Sequence, residues 1–270
     1  MRPDRGATLL ACALVLVAAC SKSASVKPPK IKGSEQIAPE YSYSDNDAVK
    51  KRVQVRDALG LATQRLVSGD LAEAEKQANR ALRLDPGSVD AHTLLGVIAS
   101  RRGGVAGAGS HYRRAAELGP ERGEALNNYG AWLCANGYPA EALVWFDRAV
   151  AAPGYGSPSS ALANAGGCAL KSGQRERADR DLRRALDMEP DNAYALASMA
   201  EYQYGQGRYF EARAFVERRL AAAPADASVL QLAASIEDRL GDRVAASRYQ
   251  QRLRAEFPQA ANTQTGEGPK

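Results

Sequence analysis

Few side chains in this chain have the chemistry to act as nucleophile, acylation site, disulfide partner or metal ligand. Cys12, Cys20, Cys134 and Cys168 are its thiols, and His92 and His111 its imidazoles. A thiol or hydroxyl within reach of an oriented imidazole makes a covalent catalyst, and thiols and imidazoles gathered four at a time hold zinc. Neither pattern is met. No Ser or Cys stands at a matching site beside either histidine, so both read as structural groups. A zinc site at Cys134 and Cys168 would need two further ligands that the sequence does not supply. The glycine-rich run Gly103 to Gly109 could cradle a phosphate only if a strand led into it, and it falls instead at a turn between helices. The expectation is a protein that is not an enzyme, with no cofactor, metal or small-molecule substrate. The net charge of +5, from 36 basic and 31 acidic residues, is mild and evenly spread. Nucleic-acid binders concentrate Lys and Arg on one face, so none is expected as a partner.

The elements that position these residues show in the spacing. Gly123 to Pro153 reads as one helix–turn–helix unit, and much of the chain repeats it. Pro86, Pro120, Pro190, Pro224 and Pro258 close such units at gaps of 34, 70, 34 and 34 residues. Turn glycines keep the step (Gly69, Gly103, Gly137, Gly173, Gly207, Gly241), as do small residues of the second helix (Ala74, Ala108, Ala142, Ala178, Ala212, Ala246). A period of 34 in three residue classes is the signature of tetratricopeptide repeats. The predicted fold is all-α, a right-handed superhelical solenoid of six such hairpins over residues 48–258. The repeats start at Val55, Val89, Gly123, Ser159, Ala193 and Ala227. Positions 4, 7, 8 and 11 of each first helix should face the second helix, with the small residue at position 8 set against the alanine at position 20. Repeat three ends in Ala152-Pro153-Gly154-Tyr155-Gly156-Ser157-Pro158, two residues longer than the others, which predicts a longer turn. A basic first helix from about Ala48 and a last helix over 242–257 should cap the stack.

The ends are different in kind. Arg2 and Arg5 precede thirteen mostly apolar residues, Ala7 to Ala19, too few to span a bilayer but suited to a secretory leader. Leu16-Val17-Ala18-Ala19-Cys20 resembles the lipobox of bacterial lipoproteins. That resemblance implies cleavage of a leader over 1–19 and acylation of Cys20; a plain secreted protein cut at Ala19 is the alternative. Ser21, where an Asp would retain the protein, implies the outer membrane, facing the periplasm. Residues 20–47, with Pro28, Pro29, Pro39 and little apolar content, read as a flexible lipidated tether, and 259–270 as a disordered tail.

Within the solenoid, Cys134 and Cys168 fall near the ends of the first helices of repeats three and four. Neighbouring helices pack about 8–10 Å apart, Gly166 and Gly167 permit closer approach, and the periplasm is oxidising. A disulfide between them is therefore expected, two separate buried thiols being the alternative. Partners of such solenoids usually lie against positions 2, 5, 9, 12 and 13 of the first helices. The apolar part of that groove is expected at the N-terminal end, on Leu59, Thr63, Leu66, Val67, Thr93, Val97 and Arg101. Alternatively, the tether or the extra residues before Val55 cover Leu59, Leu66 and Val67. Tyr194, Glu201 and Tyr204 are the larger groove residues of the later repeats.

Asn127-Asn128-Tyr129-Gly130-Ala131-Trp132-Leu133-Cys134, the Pro153-Gly154-Tyr155 turn, Ala161-Leu162-Ala163-Asn164-Ala165-Gly166-Gly167-Cys168 and Arg252-Leu253-Arg254-Ala255-Glu256-Phe257-Pro258, together with the lipobox, resemble the type IV pilus biogenesis and stability lipoproteins, the PilF/PilW pilotins. The resemblance covers about Ala48 to Pro258. It implies a non-catalytic, periplasm-facing outer-membrane scaffold that binds subunits of the pilus secretin and promotes their localisation and multimerisation. A generic adaptor for outer-membrane protein assembly or cell-wall enzyme recruitment is the alternative.

Overall fold

The computed structural model describes residues 46–262. The expected leader, the expected acylation site at Cys20 and nearly all of the expected tether lie outside the described residues. So does the tail beyond Asn262; its described part is a helical turn, α13 (Pro258–Asn262).

Twelve longer helices precede it and form six hairpins: α1 (Asp47–Val67) with α2 (Leu71–Leu84), α3 (Val89–Arg101) with α4 (Val105–Leu118), α5 (Gly123–Ala135) with α6 (Pro139–Ala151), α7 (Pro158–Lys171) with α8 (Arg175–Met188), α9 (Ala193–Gly205) with α10 (Tyr209–Ala222), and α11 (Ala227–Leu240) with α12 (Arg243–Glu256). No strand occurs among the described residues. Each hairpin packs on the next, and the odd-numbered helices also touch one another along one side of the stack.

The repeated turn glycines have a conformational cause. Gly69, Gly103, Gly137, Gly173, Gly207 and Gly241 all sit at φ between 74° and 88°, where a Cβ is penalised. The residue after each donates its N–H to the carbonyl five residues back, as in Asp70 to Arg65 (2.9 Å), Tyr138 to Leu133 (2.9 Å) and Asp242 to Glu237 (3.0 Å). These bonds satisfy carbonyls left over at the helix end. Asp70, Ser88, Asn192, Asp226 and Asp242 cap the following helices through side-chain oxygens.

The alanines at position 20 are buried in every repeat. At position 8 they share the core with position 24 of the second helix, which supplies the atoms nearest to each glycine there. A Cβ on Gly96 would lie 2.7 Å from the Tyr112 ring, one on Gly130 2.8 Å from Phe146, and one on Gly166 2.8 Å from Leu182 Cδ2. Glycine at position 8 thus admits a large side chain. Where position 8 is Ala62 or Ala200, position 24 carries the smaller Ala78 or Val216, both buried.

The inward face of α1 also departs from the expected register. Ala58, Ala62 and Leu66 are its buried residues, while Leu61, at position 7, is 40% exposed. In later repeats position 7 (Leu95, Tyr129, Ala165, Met199, Ala233) is buried. There a preceding hairpin packs on the first helix, and no described hairpin precedes α1.

Repeat three has the longer connection expected of it, Ala152 to Ser157, with Gly154 at φ 68°. Its Tyr155 turns back onto Gly123 at the start of α5, where a Cβ would lie 2.7 Å from the tyrosine Cβ and nearer still to Cγ. Burial, with the nearby Glu124 charge, pushes the Tyr155 phenol up to about 12. The extra residues thus add a side chain to the core around Phe146, Tyr129 and Leu133.

Candidate interaction surface

The odd-numbered helices supply the surface on which positions 2, 5, 9, 12 and 13 recur. At its N-terminal end the expected groove residues divide. Val67 is 80% exposed. Leu59 is half-buried against Ala58, Ala81 and Ala91. Thr63 is exposed and donates its hydroxyl to the Leu59 carbonyl (3.0 Å). Thr93 and Val97 are half-buried, Val97 against the core between the first two hairpins. Arg101 is committed locally, its Nη1 donating to the Leu66 carbonyl at the end of α1 (2.8 Å). Leu66 is not a groove residue at all. It is 7% exposed and packs with Ala62, Ala74, Ala78, Leu95 and Ile98. The reason is the shifted register of α1, which turns position 12 into the core.

In the middle of the surface α5 and α7 run close together. Cys134 and Cys168 are joined, with Cα atoms 5.9 Å apart. Beside them Asn164 Nδ2 donates to Asn127 Oδ1 (3.0 Å).

Toward the C-terminus α7, α9 and α11 enclose a recess of about 440 Å³, lined by Gly167, Lys171, Tyr194, Ser198, Glu201 and Ser228 among others. Most of these stand at the recurring surface positions. The absent side chain at Gly167 makes room for Tyr194, whose hydroxyl would lie 2.6 Å from a Cβ built there. Desolvation, followed by the charge of Glu201, raises the Tyr194 phenol. Glu201 is itself raised, by desolvation and then by Asp226, against the opposing charge of Lys171. At one edge Arg219, 8% exposed, donates to the Ala223 and Pro224 carbonyls (3.1 Å each) and to Asp226 Oδ2 (2.9 Å). This holds the loop into α11. Tyr204 belongs instead to the turn, tilted against Tyr209 at 5.5 Å. The recess presents an ammonium, a carboxyl, a phenol and hydroxyls, a set suited to a polar chain. Apolar side chains mark the other end of the surface; the signal for the recess is Gly167, in the repeat before that of Tyr194.

The two histidines, read separately as structural, meet: His92 Nδ1 and His111 Nδ1 are 3.2 Å apart across α3 and α4. Among the described residues no group of three or more His, Cys, Asp or Glu side chains converges as a metal centre.

Tetratricopeptide-repeat families match residues 59–121 and 169–236. The type IV pilus assembly protein PilF of Pseudomonas aeruginosa is 26% identical over 210 residues, 77% of this chain and 83% of that protein. The crystal structure of PilW, a widely conserved type IV pilus biogenesis factor, matches with a TM-score of 0.70 at 28% identity, over 82% of this chain and 99% of PilW. The solved structure of Pseudomonas aeruginosa PilF matches with a TM-score of 0.69 at 23% identity, over 81% of this chain and all (100%) of that one, a likeness of fold.

Proposed function

We propose that this tetratricopeptide-repeat protein, a homologue of PilF and PilW, is a non-catalytic scaffold of type IV pilus biogenesis that binds secretin subunits and promotes their localisation and multimerisation. The observation that carries the reading is homology along the solenoid: similarity to PilF runs over 77% of the chain, and likeness to PilW over nearly that whole protein. A stack of hairpins presenting one continuous helical surface is a means of holding another chain.

In this reading the chain is a lipoprotein. Cys20 carries the acyl groups and holds the solenoid on the periplasmic side of the outer membrane. One acyl chain anchors only weakly, whereas several on one cysteine hold firmly. Cys134 and Cys168 stay oxidised in that compartment. Val67, Leu59 and Val97 form the apolar end of the partner surface, with Leu66 beneath them as support.

Deletion of the gene, followed by blotting for heat-resistant secretin multimers, tests the function. Loss of multimers with monomer retained is expected. Unchanged multimers and normal twitching would remove the secretin role and leave the adaptor reading. Cys20→Ala should leave a folded protein away from the outer membrane; finding it there by fractionation would rule out lipid anchoring. Val67→Asp with Leu59→Asp should weaken secretin pull-down while helical circular dichroism persists, and undiminished capture would move the contact elsewhere.

A further inference from the structure

We propose that the free side of α1 is a docking face for an anionic phospholipid surface, which Lys50, Lys51, Arg52 and Arg56 would meet together with the apolar side chains of Val53 and Leu61. α1 is 21 residues long, whereas the first helices of the other five hairpins have 13 or 14. The excess lies at its start. No residue of α1 before Ala58 is buried, and Lys50 to Gln54 are all exposed. Packing within the solenoid therefore does not account for the added turns.

The charge of this stretch is unbalanced. Four bases fall between residues 50 and 56, and the acids of the helix are Asp47 and Asp57. Lys50 closes the first turn, with Lys51 and Arg52 directly behind it. The start of a helix is the positive pole of its dipole, so cations there cost stability, and adjacent cations repel one another. Internal ion pairs offset little of this. Lys50 lies 3.6 Å from Asp47 and Arg56 3.9 Å from Asp57, and all four side chains are more than half exposed. Lys51 and Arg52 have no ion pair among the described residues. A local rule broken without compensation inside the fold points to a partner outside it, and the missing counter-charge is negative.

The apolar side chains narrow the choice. Val53 and Leu61 are each 40% exposed, and Leu61 stands at the position that a preceding hairpin covers in later repeats. Bases beside exposed apolar residues on one helix are the pattern of helices that lie in a membrane interface. No described helix is long and apolar enough to cross a membrane, so α1 would rest on the lipid. An acidic protein offers the same charge. The lipid is favoured because α1 is the first helix described after Cys20, and in this respect the inference rests on the lipoprotein reading above.

Full-length protein with labelled Val and Leu methyl groups is placed in phosphatidylcholine bicelles, with and without phosphatidylglycerol, that carry a paramagnetic headgroup. With phosphatidylglycerol, the Val53 and Leu61 signals should broaden far more than those of Val105, Val144 and Val244, which are exposed elsewhere on the solenoid. Lys51→Gln with Arg52→Gln keeps helix propensity and removes two charges. At about fivefold per charge, the contact should weaken more than tenfold, and high salt should weaken it in the same direction. Broadening that is absent, that is equal without phosphatidylglycerol, or that persists in the double variant would overturn the proposal. So would a double variant that loses secretin capture while its bicelle contact is unchanged, since the bases would then serve a protein. Mass spectrometry of the Cys20 peptide tests the anchor separately. An unacylated Cys20 would remove the lipoprotein reading, whereas an acylated chain whose α1 stays clear of the bicelle would remove this proposal alone.

Discussion

Gly109 is a position at which the packing makes a sharp demand. It lies inside α4, where alanine in place of glycine ordinarily stabilises by about 1 kcal/mol. A Cβ built on it would lie 2.7 Å from Trp132 Cε2 and closer still to two other atoms of the six-membered ring. Carbon atoms in contact rest about 3.5–4.0 Å apart, so the indole would have to retreat by roughly 1 Å. It has little freedom to do so, being stacked on Tyr129 at 6.2 Å with the planes 12° apart, its Nε1 buried. Overpacking of this kind costs about 1–3 kcal/mol. Gly107, in the same helix, has only the Ala99 Cβ at 4.0 Å, so Gly107→Ala gains the propensity without the clash. The propensity cancels in the difference, which leaves the overpacking cost alone. For a domain of this size about 1 kcal/mol moves the melting temperature by about 2–4 °C. Gly109→Ala should therefore melt several degrees below Gly107→Ala in circular dichroism. Trp132 is one of two tryptophans, so its displacement should also change the emission spectrum. Trp132→Leu in the Gly109→Ala background should recover part of the loss. If Gly109→Ala melts level with or above Gly107→Ala and its emission is unchanged, the close approach of α4 to Trp132 is wrong.

Three further outcomes follow from the same structure. Replacing Cys134 and Cys168 by Ser, or reducing them, should destabilise by about 3–4 kcal/mol in the loop-closure model, given their 34-residue separation; an unchanged melt in reductant would refute the staple. Leu66→Asp should unfold the first hairpin by burying an unpaired carboxylate, whereas Val67→Asp, one residue on and 80% exposed, should leave the melt within about 0.5 kcal/mol of wild type; equal effects would undo the corrected register of α1. Glu201 has its carboxyl raised in the folded state, so the unfolded chain binds fewer protons than the folded one between its ordinary and raised values. Stability from this group is greatest below the ordinary carboxylate range and falls as pH rises through the raised value. Glu201→Gln should accordingly raise the melting temperature at neutral pH and lose that advantage in acid, and a variant less stable at neutral pH would mean that Lys171 outweighs desolvation.

Features that recur every 34 residues were legible from residue types because each has a local cause. The six glycines mark a backbone angle that other residues resist, and the prolines mark where a helix cannot continue. Features that depend on which hairpin lies next door were not. Leu66 and Val67 are equally apolar in sequence; one is core and the other surface because no described hairpin precedes α1 and its inward face is rotated. The pairing of position 8 with position 24 was hidden because position 20 is alanine everywhere, so that small against small satisfied the pattern on its own. Seen from three dimensions, Gly96, Gly130 and Gly166 each stand 16 residues before Tyr112, Phe146 and Leu182, while the alanines at position 8 in repeats one and five precede Ala78 and Val216.

The same compensation explains where the surface opens. Gly167 belongs to position 9, which faces outward, and its partner in size is Tyr194, on the next first helix. Gly96, Gly130 and Gly166 are filled from their own hairpins, whereas Gly167 is overlain by Tyr194 from the following repeat, which leaves an uneven floor. That floor lies in the recess of α7, α9 and α11 rather than at the apolar end near α1. A partner laid along the whole stack would therefore meet apolar side chains first and an ammonium, a carboxyl and a phenol farther on. Substitutions at Val67 and at Lys171 should then weaken the same complex with different salt dependence, since exposed charges are screened within about 10 Å at 0.1 M salt and apolar contacts are not.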